Sequence, residues 1–106
     1  RMAARVGKAH FEEKVLKSSL PVLVEFYSDS CIPCKQISPI LGDIEDEREG
    51  SLQVYKVNVN YDMDLAGEYG VMGVPALRLF VNGEVAGAQT GVLKKEELNQ
   101  WLDETL

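Results

Sequence analysis

Two cysteines, Cys31 and Cys34, stand with two residues between them in Ser30-Cys31-Ile32-Pro33-Cys34-Lys35. At this spacing two sulfurs on the first turn of a helix can reach bonding distance without disturbing it. The pair can therefore cycle between dithiol and disulfide. A thiolate is the attacking species in such exchange, and the positive end of a helix dipole, with its unpaired N–H groups, stabilises one. Cys31, at the first turn, is expected to be partly exposed and to have a lowered pKa. Cys34, one turn further in, is expected to be more buried and more thiol-like. Cys31 would then attack a substrate disulfide, and Cys34 would attack the mixed disulfide and release reduced substrate. Pro33 suits that first turn, where its missing N–H costs nothing.

Two other uses of the pair are weaker. Half of a zinc site needs further ligands, and the chain has one histidine, His10, and no third cysteine. A structural disulfide over so short a loop restrains little of the unfolded chain. Redox chemistry outweighs both if the pair sits where a strand turns into a helix.

The surrounding pattern supplies that setting. Val22-Leu23-Val24-Glu25-Phe26-Tyr27 is a nearly continuous apolar run after Pro21, the habit of a parallel strand covered on both faces. Glu25 is the odd residue in it. Ser28-Asp29-Ser30 is a capping cluster, and from Cys34 onward Ile37, Ile40, Leu41 and Ile44 keep helical spacing toward Gly50, with Pro39 predicting a kink.

Before this unit, residues 9–18 read as a helix with Phe11 and Val15 on one face, and residues 3–6 as a weak edge strand. After it, residues 52–59 alternate as a strand, and 62–69 read as a short helix that Asn60 or Asp62 would cap. Residues 77–81 form a further strand, Asn82-Gly83 a hairpin turn into 84–90, and 94–104 a closing helix with Leu98, Trp101 and Leu102 facing inward. Strands alternating with helices imply parallel crossovers, and the hairpin adds an antiparallel pair. The expected fold class is α/β, a central mixed sheet with helices on both faces.

A length of 106 residues predicts a single domain spanning 1–106, and a hydrophobic fraction of 45% predicts one packed core. No apolar run approaches the roughly 20 residues needed to cross a bilayer, so a soluble protein with no membrane partner is expected. A net charge of −6 argues against nucleic acid, which needs a basic surface. No signal-peptide pattern is visible. With Met2 as the natural start the protein would be cytoplasmic; a processed, exported form is the alternative.

The sequence resembles the thioredoxin family over nearly its whole length. The resemblance rests on the Cys pair with Lys35 and Pro39, and on Leu23-Val24-Glu25-Phe26 before it. It continues in Lys56-Val57-Asn58-Val59-Asn60, Tyr69-Gly70-Val71, Gly73-Val74-Pro75-Ala76, Asn82-Gly83-Glu84 and Gly91. It implies a thioredoxin fold and thiol–disulfide oxidoreductase activity with no bound cofactor. The implied role is reduction of protein disulfides in electron transport and cell redox homeostasis, by a monomer served by a thioredoxin-reductase-like electron donor.

It also implies a cis Val74–Pro75 bond, with Pro75 packed against the cysteines. Val74, Pro75, Ile32, Pro33 and Gly91 would then form a shallow apolar docking patch around Cys31. Glu25 matches a position that usually carries a buried Asp, and Lys56 matches that acid's partner. A lone carboxyl on a covered strand should have a raised pKa and could take the Cys34 proton. Pairing with Lys56 for structural reasons alone is the other reading.

The chain departs from the family pattern at Ser30, where a tryptophan is usual, and at Ile32, where a glycine is usual. Tyr27 occupies the earlier aromatic position. These changes touch reduction potential, substrate range and the reductase partner. Two rivals stay open beside the reductase reading: an oxidase or isomerase, and a binding module in which thiol chemistry is incidental.

Overall fold

In the computed structural model, which describes residues 2–106, every residue of strand β2 (Val22–Tyr27) is buried. It is the central strand of five. The others are β1 (Ala4–Arg5), β3 (Gln53–Asn58), β4 (Ala76–Val81) and β5 (Glu84–Thr90), in the spatial order β1-β3-β2-β4-β5. β1, β3 and β2 are mutually parallel, whereas β4 and β5 run antiparallel. This is the mixed sheet that the element order predicts.

Period-two alternation sends β2 side chains to opposite faces. Leu23 joins Ile37, Leu41 and Ile44 of helix α2 (Ile32–Glu47) and Leu98 and Leu102 of the last helix, α4 (Lys95–Thr105). Val22, Val24 and Phe26 join Phe11 of α1 (Lys8–Phe11), Leu65 of α3 (Met63–Glu68) and Phe80 of β4. Helices thus cover both faces. Because alternation is strict, Glu25 and Tyr27 share the α2 side with Leu23, and Lys56 shares it with Val54 next door.

Local chemistry explains the joints. Asn82 and Gly83 both take positive φ, 52° and 80°, as the tightest hairpin turn requires. A Cβ on Gly83 would lie 2.8 Å from the Leu16 carbonyl oxygen, so glycine is needed there for space as well as for conformation. Arg48, just past α2, donates to Asn99 Oδ1 and to Asp103 on α4, fastening the two helices on that face.

Three expectations change in detail. The helix over residues 9–18 begins as α1, but its second half, Glu12–Leu16, winds as a π-helical turn closed by Lys17 N–H donating to the Glu12 carbonyl. The wider turn lets Leu16 join Phe11 and Val15 against the sheet, which a regular α-helix would turn away. Asp62 stands at the N-cap of α3 but makes no cap bond; its carboxylate accepts the Lys8 N–H at 3.3 Å and ties α3 to α1. Trp101 is half-buried rather than fully inward, with its ring against Gly87 of β5. Pro39 lies inside α2, which continues through it.

Candidate active site

β2 delivers the chain to Ser28-Asp29-Ser30, and Cys31 N–H donates back to the Ser28 carbonyl at 3.3 Å. That bond closes a turn and leaves Cys31 as the N-cap of α2, in extended conformation. Cys31 Sγ accepts the backbone N–H of Cys34 at 3.1 Å. This N–H is one of the donors that a helix start leaves unpaired, and it rewards a sulfur anion more than a neutral thiol. Cys31 is half-buried, while Cys34 is only 4% exposed. The two are joined as a disulfide with Cα atoms 5.2 Å apart, so the structure is the oxidised state.

Behind Cys34 lies a cavity of about 400 Å³ that reaches Glu25 and Lys56. Glu25 and Lys56 are register partners on adjacent strands, and both are buried. Glu25 is 2% exposed, and its Oε2 has no hydrogen-bond partner among the described residues. Burial pushes its pKa up from 4.5 to about 7, and the positive charge of Lys56 holds back part of that rise. The carboxyl is therefore divided between its two protonation states near neutral pH. Lys56 Nζ lies 4.8 Å from the centre of the Tyr27 ring, a cation–π contact that gives the buried ammonium a second anchor.

The remaining predicted residues fall into two groups. Ile32 and Pro33, between the cysteines, are exposed, Ile32 at 67%. Directly before β4, the Val74–Pro75 bond is cis, with Val74 half-buried and Pro75 buried. Gly91 N–H donates to the Pro75 carbonyl at 2.8 Å, and its φ of 85° explains why glycine stands there. The structure thus joins Gly91 to Pro75, and joins Glu25 and Lys56 to Cys34 through the cavity.

Sequence reasoning missed Arg5, Asp29 and Lys35 as cavity-lining groups. Arg5 had no local signal, since only strand pairing sets it beside Lys56.

A central mixed sheet that ends in a half-exposed, helix-capping cysteine with a buried partner defines a redox-active α/β domain. Comparison with known proteins agrees. The thioredoxin family model matches residues 2–104. A thioredoxin of Acidithiobacillus ferridurans is 43% identical over 101 residues, covering 95% of this chain and 94% of that protein. One of Pseudomonas aeruginosa is 41% identical over 98 residues, covering 92% and 91%. One of Rickettsia bellii is 36% identical over 105 residues, covering 99% and 100%. This chain belongs to the thioredoxin family, and with its Cys31–Cys34 pair it is a thiol–disulfide oxidoreductase.

Proposed function

We propose that the chain reduces protein disulfides, with Cys31 as nucleophile and Cys34 as resolving thiol. The observation that supports this division is the Cys34 N–H aimed at a half-exposed Cys31 Sγ, with Cys34 itself buried. In the reduced protein the Cys31 thiolate attacks one sulfur of the substrate disulfide. That bond breaks, and the departing substrate thiolate takes a proton from solvent. Cys34 then loses its proton to the Glu25 carboxylate across the cavity and attacks Cys31 Sγ. The mixed disulfide breaks, the second substrate thiolate leaves, and the Cys31–Cys34 disulfide holds the oxidation equivalent.

Lys56 keeps a share of Glu25 ionised at neutral pH and so able to accept that proton. Pro75, Val74, Ile32, Pro33 and Gly91 would hold the substrate chain beside Cys31, which suits an extended segment pairing with the free backbone before Pro75. An electron donor of the thioredoxin-reductase kind returns the disulfide to the dithiol. In the same reading the domain spans 1–106 and works as a cytoplasmic monomer. Two cysteines devoted to exchange need no oxidising compartment. Among the described residues no helix is long and apolar enough to cross a membrane.

The test is insulin reduction with dithiothreitol, together with alkylation of Cys31 across pH. Rapid alkylation at neutral pH and loss of catalysis in Cys31→Ser are expected. Equal rates for variant and parent would instead leave a binding module. Equilibration with glutathione buffers sets the direction: a potential well above the glutathione pool would make the chain an oxidase.

A further inference from the structure

The cavity behind Cys34 holds more charge and more unpaired polar groups than proton transfer requires. Arg5 is the register partner of Lys56, and Lys56 of Glu25, so three adjacent strands place charged side chains in one row along the cavity wall. Lys35 adds a third cation from α2. Against them stand Glu25 and Asp29, and Asp29 already accepts a hydrogen bond from Asn58 Nδ2 at 3.4 Å. An excess of cations is out of character for a chain of net charge −6.

Two residues that line this space each carry a buried polar atom with no partner among the described residues, Glu25 Oε2 and the Tyr27 hydroxyl. Tyr27 is only 5% exposed. A buried polar group left unpaired is costly, so both residues would gain from a hydrogen-bonding group brought into the cavity. Arg5 and Lys35 are exposed and hydrated, whereas Lys56 is buried, so an anion entering the cavity meets one desolvated cation flanked by two exposed ones. The walls between the polar groups are apolar, formed by Pro39, Met2 and the Tyr27 ring. A volume of about 400 Å³ lies within the range of small-molecule sites.

We propose that this cavity binds a small organic carboxylate, its charged head between Arg5 and Lys56 and its apolar body against Pro39 and the Tyr27 ring. The Tyr27 hydroxyl donates to the head. The protonated form of Glu25 donates as well, so a bound anion and an ionised Glu25 compete for the same space. Occupancy would therefore remove the group that receives the Cys34 proton.

The experiment uses the oxidised protein, in which no thiol reacts, so its outcome is independent of the catalytic reading. The 15N-labelled chain is titrated with sodium benzoate, with benzamide as the neutral isostere and sodium chloride at matched ionic strength. Saturable shifts at the amides of Ser28, Lys35 and Lys56 are expected with benzoate alone, with a Kd on the order of 1 mM. Arg5→Gln, an exposed edge-strand change, should weaken binding about tenfold by removing one charged hydrogen bond. Tyr27→Phe should weaken it by less. Shifts that never saturate or that chloride reproduces would mean the cavity holds only solvent. Equal binding of benzamide, or unaltered binding in Arg5→Gln, would likewise overturn the proposal.

Discussion

The two faces of β2 are built from alternate residues of one six-residue strand, yet they serve different ends. On one face Val22, Val24 and Phe26 meet a closed apolar cluster. There Phe11, Tyr69 and Phe80 pack edge to face or tilted, with ring centroids 5.1 to 5.6 Å apart. On the other, Leu23 is packed as tightly, but Glu25 and Tyr27 line a cavity, and each carries a buried polar atom with no partner among the described residues. The first face is stabilised by every side chain it buries. The second gives up stability near the cysteines to hold an acid where solvent would otherwise fix its pKa. Within one strand, a step of a single residue divides holding the fold together from poising a proton.

The sharpest way to break this comparison is to damage the closed face. Phe26→Ala should cost about 4 kcal/mol of unfolding free energy, read from the urea midpoint, by leaving a cavity among rings that cannot collapse onto it. Alkylation of Cys31 in the still-folded fraction should be unchanged. A parallel loss of thiol reactivity would mean that the two faces are not separable.

Glu25→Gln should do the reverse. A folded pKa of about 7 against an ordinary 4.5 means that Glu25 favours folding fully only below the lower value. As pH rises from there through 7, ionisation of the buried carboxyl subtracts from stability. The variant should therefore match the parent at pH 4 and exceed it by up to about 3 kcal/mol at pH 8, measured by denaturation across pH. Its resolving step should be slower and lose the rise in rate through pH 7. A stability difference independent of pH would show that Glu25 is not a titrating buried acid.

Ile32→Ala should change least. Ile32 is exposed, so stability should stay within about 0.5 kcal/mol. The KM for protein disulfides should rise while small disulfides react as before. An unchanged KM would remove Ile32 from the docking patch.

Much of this was legible along the chain because its causes are local. The apolar run with one acid in it exposed both β2 and the burial of Glu25, and Ser28-Asp29-Ser30 marked the turn before α2, although Cys31 and not that cluster caps the helix. Asn82-Gly83 specified its turn outright. What stayed hidden depends on partners distant in sequence. No periodicity tells that β1 pairs with β3, so Arg5 could not be set beside Lys56. Nor does composition tell that Asp62 will bond to Lys8 rather than cap its own helix. The π-helical turn was invisible for the same reason, since it answers to a sheet surface that Phe11, Val15 and Leu16 must all meet.

The seat of Gly83 on the Leu16 carbonyl bears on how the molecule can be engineered. A hairpin tip is ordinarily the first choice for grafting a peptide epitope or opening a new terminus. Here the tip is clasped by the π-helical turn, and any insertion would pry that turn from the sheet along with it. The bend at Gly50, with a φ of 85° and open space around it, is the better place for foreign sequence.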